Sequence, residues 1–166
     1  MINWFGELSG LESLCHLIIA NEFKTSTISI PDPYKSDSII NLFIHAKKNP
    51  KISVKLINGT PYIECNIFLS ADILSLDANT NYSTKESLNN ISNSANSYLE
   101  KTITEYLYKM AKEYHADIDN FGKYVIKNYL TWNDWIKSDW LSNYKNSFFS
   151  VTVDVNVVNG QLYTKT

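Results

Sequence analysis

The chain has 166 residues, 44% apolar and 19% charged, with a formal net charge of -2. That is about one domain of ordinary globular composition, long enough to bury a core, and it excludes a disordered acidic or basic tail. All 15 basic residues are lysine, so the chain lacks the bidentate reader of phosphate and guanine and has no positive field for nucleic acid.

The start, Met1-Ile-Asn-Trp-Phe-Gly-Glu7, has no basic segment and no apolar segment, so no signal peptide or lipobox is expected in these residues. No apolar run is long enough to span a bilayer. Ser9-Gly-Leu-Glu12 has the form of a capping box, and Leu11, Leu14, Cys15 and Ile18 follow at helical spacing. A short amphipathic helix is therefore expected over residues 10–20, with Cys15 as a small buried hydrophobe.

Period two then takes over. Strands are expected over 25–30, ending at Pro31-Asp-Pro33, over 38–46 with Ile40, Leu42, Ile44 and Ala46 on one face, and over 51–57 with Ile52, Val54 and Leu56 on one face. Asn58-Gly59 is a hairpin signal, because both residues tolerate positive φ. The return strand puts Ile63, Cys65, Ile67, Leu69, Ala71 and Ile73 on one side and Glu64, Asn66, Ser70 and Asp72 on the other. One face of this sheet is packed and the other wet.

Residues 77–94 are polar and read as a loop or a weak helix start. A long helix is expected over 94–115, with Ala95, Leu99, Ile103, Tyr106, Leu107 and Met110 inward. Glu100, Lys101, Glu105, Lys109, Lys112 and Glu113 read as its solvated face. Shorter helices follow over 119–130, with Phe121, Val125 and Tyr129 inward, and over 132–142, with Trp132, Trp135, Ile136 and Trp140. A strand of alternating residues from Phe149 to Val157 closes at Asn159-Gly160. The expected fold class is α+β: a mostly antiparallel or mixed sheet of about 4–5 strands with a long helix and shorter helices on one face.

Chemistry is sparse in this pattern. His115, Asp117 and Asp119 carry metal-ligand chemistry, but their spacing spreads them around a helix end, where Asp117 or Asp119 caps the next helix and His115 complements the preceding C-terminus. His16, His45 and His115 stand in no nucleophile frame, and His45 is expected on the wet face of its strand. The five glycines form no phosphate loop. Neither a metal nor a cofactor is expected. A helix-turn-helix reading around Gly122 fails on charge. The aromatic cluster of Trp132, Trp135 and Trp140 with Tyr124, Tyr129 and Tyr144 is either core under short helices or a partner or ligand surface.

Taken in order, several stretches resemble a known family. They are Tyr98-Leu-Glu-Lys-Thr-Ile103, Met110-Ala-Lys-Glu-Tyr-His-Ala-Asp117-Ile118, Phe121-Gly122, Lys127, a Trp at 132 or 135, Asp139-Trp140 and the alternating valines to Gly160. This succession is similar to the C-terminal domain of the C subunit of bacterial spore nutrient-germinant receptors, the Ger(x)C lipoproteins. Trp4-Phe5-x-x-Leu8-Ser-Gly-x-Glu12-Ser13 is similar to the stretch that opens that domain, with Asn3 where the family has Gly, and Lys127-Asn128 replaces the usual basic pair.

The resemblance implies that residues 1–166 form a single domain, the last of a three-domain lipoprotein, preceded in the family by a lipid-modified cysteine. It implies a non-enzymatic scaffold or docking role in spore germination, beside the integral membrane subunits of A and B type at the spore inner membrane. It implies no nucleic-acid partner, and no direct membrane insertion by this chain. The alternative is a domain that binds an amino acid or sugar germinant. The residues expected at a partner or ligand surface are Asp117, Gly122, Trp132, Trp135 and Trp140, with Asp117 also a cap and Gly122 also a point of close helix approach. An unpaired sheet edge is expected if a strand of the parent lies elsewhere.

Overall fold

The computed structural model describes residues 7–75 and 84–158. Trp4, Phe5, the beginning of the polar stretch (residues 76–83) and Asn159-Gly160 lie outside the described residues. The order of elements is α1 (Gly10–Ile19), β1 (Thr25–Pro31), β2 (Ile39–Ile57), β3 (Thr60–Ser75), α2 (Lys85–Lys109), α3 (Gly122–Val125), α4 (Trp132–Lys137), α5 (Trp140–Tyr144) and β4 (Phe148–Val158).

Four strands form one mixed sheet in the order β1-β2-β3-β4. The first two pairings are antiparallel, and β4 runs parallel to β3. The two strands expected over 38–46 and 51–57 are one long strand, β2. Register shifts near Ala46, Lys48 and Lys51 mark the place where the sequence read as two. Pro50 sits in this segment, where a residue without an N–H interrupts the ladder. Ile44 pairs with Ala71 and Ile52 with Cys65, so β2 gains two residues over β3 between these points. Two added residues preserve the period of two, so Ile40, Leu42, Ile44, Ile52, Val54 and Leu56 all stay on one face. Asn58 (φ 52°) and Gly59 (φ 82°) form the expected tight hairpin turn.

Helix α1 begins with the full capping box. Ser9 N–H donates to Glu12 at 2.7 Å, and Glu12 N–H donates to Ser9 Oγ at 3.2 Å. Leu14, Cys15, Ile18 and Ile19 are buried, whereas Leu11, expected inward, is 40% exposed. Helix α2 starts at Lys85, nine residues earlier than periodicity suggested. Thr84 Oγ1 accepts from Ser87 N–H at 3.1 Å, and this cap makes the Asn- and Ser-rich stretch the first turns of the helix. The stripe Ile91, Ala95, Leu99, Ile103, Tyr106, Leu107 and Met110 is buried throughout. The last turn widens into a π-helix, Met110–Tyr114, and stops at His115 in the left-handed region.

The polar side of α2 is not wholly solvated. Ser92 Oγ, Asn96 Oδ1 and Glu100 Oε1 accept from the backbone N–H groups of Val157, Val155 and Val153, at 3.3, 2.8 and 3.0 Å. Four helical residues rise about 6 Å and two strand residues about 6.6 Å, so a side-chain row at spacing four matches alternate strand amides. The helix thus occupies the outer edge of β4, and β1 is the other edge strand of the described sheet.

Candidate functional site

The residues singled out in sequence meet where α2 ends. His115 (φ 50°), Asn120 (φ 59°) and Asp139 (φ 45°) all adopt left-handed backbone, so the expected helices over 119–130 and 132–142 break into short pieces. α3 continues only as a 3-10 turn, Ile126–Asn128, and Asp139 separates α4 from α5. The break at Asp139 turns Trp140 inward, while α4 stays outside.

Asp117 holds this junction together. Its Oδ1 accepts from Phe121 N–H at 2.8 Å, and its Oδ2 accepts from Gly122 N–H at 2.8 Å and from Trp140 Nε1–H at 2.7 Å. One carboxylate therefore caps α3 and fixes the indole of α5. Gly122 is buried beneath the two indoles. A Cβ there would stand 3.0 Å from Trp140 Nε1 and 3.3 Å from Trp135 Cη2, so a larger residue would have to displace the indoles.

The aromatic rings form a continuous block. Tyr129 meets Trp135 edge-on at 5.5 Å between centroids, Trp135 stacks on Trp140 at 6.1 Å, and Trp140 meets Tyr144 at 5.8 Å. Tyr144 then contacts Phe121 and Phe149, the latter on β4. Trp140 is buried and Trp135 half-buried, so both belong to the packed block. Trp132 is 65% exposed. The sequence could not sort these three, because all lie on one stretch with helical spacing and the break at Asp139 decides their directions.

His115, Asp117 and Asp119 turn to different partners. The His115 ring bonds the Lys112 carbonyl through Nε2 at 2.9 Å, and Asp117 faces the indole. Asp119, with no exposed side-chain surface, meets His16 Nδ1 at 2.8 Å and accepts from Tyr106 Oη–H at 3.2 Å. Burial pushes the Asp119 carboxyl up to about 6, with the His16 hydrogen bond acting the other way. This second cluster ties α1 and α2 to the junction. Nothing in the sequence links His16 to Asp119, which are 103 positions apart. Burial also pushes the Cys15 and Cys65 thiols up to about 12, so both are protonated and unreactive at neutral pH. His45 lies on the outer face, with Nδ1 3.9 Å from Asp72.

At Gly122 the Trp140 and Trp135 rings fill the space a side chain would take. Concave space lies elsewhere, between α1 and α2. Two open clefts of about 290 and 560 Å³ share Leu11, Thr102 and Glu105. The first is bordered by the Glu12–Lys109 ion pair at 2.6 Å, and the second by Tyr98 and Lys101.

A family model described as spore germination B3/GerAC like, C-terminal, matches residues 3–160. The crystal structure of the GerBC protein superposes with a TM-score of 0.74 at 17% identity, covering 93% of this chain and 47% of that one. The chain therefore spans about half the length of that solved relative, and the likeness establishes the fold. A search of curated proteins returned no match.

Proposed function

The chain belongs to the spore germination B3/GerAC-like, C-terminal family, and on that premise we propose that it is a non-enzymatic domain of a germinant-receptor C subunit. It serves as a scaffold and docking module beside the membrane. One observation supports the reading above others: a rigid aromatic block, clamped by Asp117 and closed over Gly122, holds Trp132 out into solvent. An exposed tryptophan on a short helix anchored by that block is the residue type that dominates docking contacts. In this reading Trp132 and Trp135 meet the partner, and Asp117, Gly122 and Trp140 position them. The partners are the integral membrane subunits of A and B type. The setting is the spore inner membrane, with the lipid anchor supplied by the full-length family protein.

The test is capture of detergent-solubilised receptor membrane subunits by the domain and by a Trp132→Ala version. Because Trp132 is 65% exposed, the variant keeps its fold, as a thermal melt would verify. Capture weakened about tenfold or more supports docking through α4; undiminished capture removes Trp132 from the interface.

A second reading, a small-molecule-binding domain, is favoured by the clefts along α1 and α2, whose volumes fall in or near the range of ligand sites. A thermal-shift screen of amino acids and sugars tests it, with Thr102→Trp as the blocking variant.

A further inference from the structure

Three large apolar side chains stand in water within one short stretch of chain. Leu130 is 99% exposed, Trp132 65% and Ile136 60%. Leu130 precedes Thr131, the N-cap of α4, and Trp132 and Ile136 lie four residues apart on that helix, hence on one face. A side chain as exposed as Leu130 is a protrusion, not part of a groove. A protein partner would need a matching pocket to cover it, whereas lipid closes around single side chains.

The surrounding charge points the same way. Along the chain the tip is flanked by exposed Lys123, Lys127 and Lys137. Its own segment carries one carboxylate, Asp134, which accepts from the Thr131 hydroxyl at 2.7 Å; Asp139 follows just beyond. Tryptophan at the level of the headgroups, aliphatic side chains below it and lysines among the phosphates are the composition of an interfacial contact.

We propose that Leu130, Trp132 and Ile136 seat shallowly in the interfacial region of a bilayer rich in anionic phospholipid, with Lys123, Lys127 and Lys137 meeting its phosphates. This goes beyond docking on protein subunits and needs from that reading only that the chain works beside a membrane. It departs, at side-chain depth, from the expectation of no direct membrane insertion by this chain. No helix among the described residues is long and apolar enough to cross a membrane.

The test is co-sedimentation of the 166-residue chain with vesicles of phosphatidylcholine and with vesicles of phosphatidylcholine and phosphatidylglycerol in equal parts, at low and high salt. Binding is expected to the anionic vesicles, with a blue shift in tryptophan emission and weakening by salt. A Leu130→Ser, Ile136→Ser variant, changed only at exposed positions, is expected to retain the melting profile and lose about tenfold or more in binding. Absence of vesicle binding overturns the proposal, and so does equal binding by the double variant. A chain that captures receptor subunits but ignores vesicles also overturns it and leaves the docking reading standing. A chain that binds vesicles but captures no subunit does the reverse.

Discussion

At the scale of single residues, Asp117 and Gly122 illustrate how a small chemical feature organises a junction. Replacing Asp117 by Ala strands three donors, the Phe121 and Gly122 amides and the Trp140 indole. The expected loss is about 2–4 kcal/mol in urea unfolding, because orphaned buried donors cost more than a hydrogen bond contributes net. A loss within experimental error would show that water replaces the carboxylate. Gly122→Ala forces a methyl group to 3.0 Å from Trp140 Nε1 and is expected to cost about 1–3 kcal/mol by overpacking, with a change in indole emission as Trp140 moves. Asp119 carries a pH signature. Its folded-state value is about 6 against an ordinary 3.8, because burial disfavours the charge. The folded state therefore binds this proton more readily than the unfolded state. Stability from this group is fully present below 3.8 and is lost as pH rises through about 6. The His16 ring bonds this carboxyl at 2.8 Å, so the clean comparison is His16→Gln with and without Asp119→Asn. Removing the imidazole pushes the carboxyl further up, and the part of the slope of unfolding free energy against pH that this carboxyl contributes should be lost with the Asn. Parallel slopes in the two variants would refute the assignment.

At the scale of elements, the pairing of α2 with β4 is the feature that periodicity misread. Glu100 belongs to a polar row that reads as solvated, yet it accepts from the Val153 amide. Together with Ser92 and Asn96 it takes the place of a neighbouring strand. A Ser92→Ala, Asn96→Ala, Glu100→Ala variant keeps the helix-forming tendency and removes every acceptor of the row. Faster hydrogen exchange is expected at Val153, Val155 and Val157, together with concentration-dependent self-association through the opened edge. Light scattering and amide exchange check the two consequences separately. Unchanged exchange at those three amides would mean that the helix backbone alone shields the edge. The reach of α2 was also underestimated at its start. Asn and Ser are weak helix formers, so residues 85–94 look like loop, but the Thr84 cap and the burial of Ile91 outweigh propensity.

At the scale of the whole molecule, the aromatic block couples the two ends of the fold. Phe149 on β4 touches Tyr108 of α2, Phe121 of the junction and Tyr144 of α5. Strand β4 in turn pairs with β3 in parallel after the long excursion through α2 and the short helices. Far-ultraviolet ellipticity and tryptophan emission should therefore report one coincident unfolding transition. Separate midpoints would show that the helical junction melts apart from the sheet. A fold that closes by a non-local parallel pairing should also refold slowly for its size, in milliseconds to seconds.

The sequence by itself determined what depends on near neighbours. The capping box at Ser9 and Glu12, the Asn58-Gly59 turn, the inward faces of the strands and the stripe of α2 all follow from periods of two and 3.6 and from cap chemistry within a few residues. The α+β class was legible on the same grounds, and the likeness to the spore-germination family in the order of several short stretches from Tyr98 to Gly160. Tertiary structure decided what depends on residues that meet across the chain. It joined two expected strands into β2 through a bulge that keeps the period. It set β4 parallel to β3 with α2 as its edge. It buried Trp140, half-buried Trp135 and left Trp132 exposed by a left-handed turn at Asp139, and it brought His16 to Asp119. Local patterns show that a side chain needs a partner, because a buried donor or charge is costly. Only the closed fold shows which partner has come within reach, since that depends on distance in space and not along the chain.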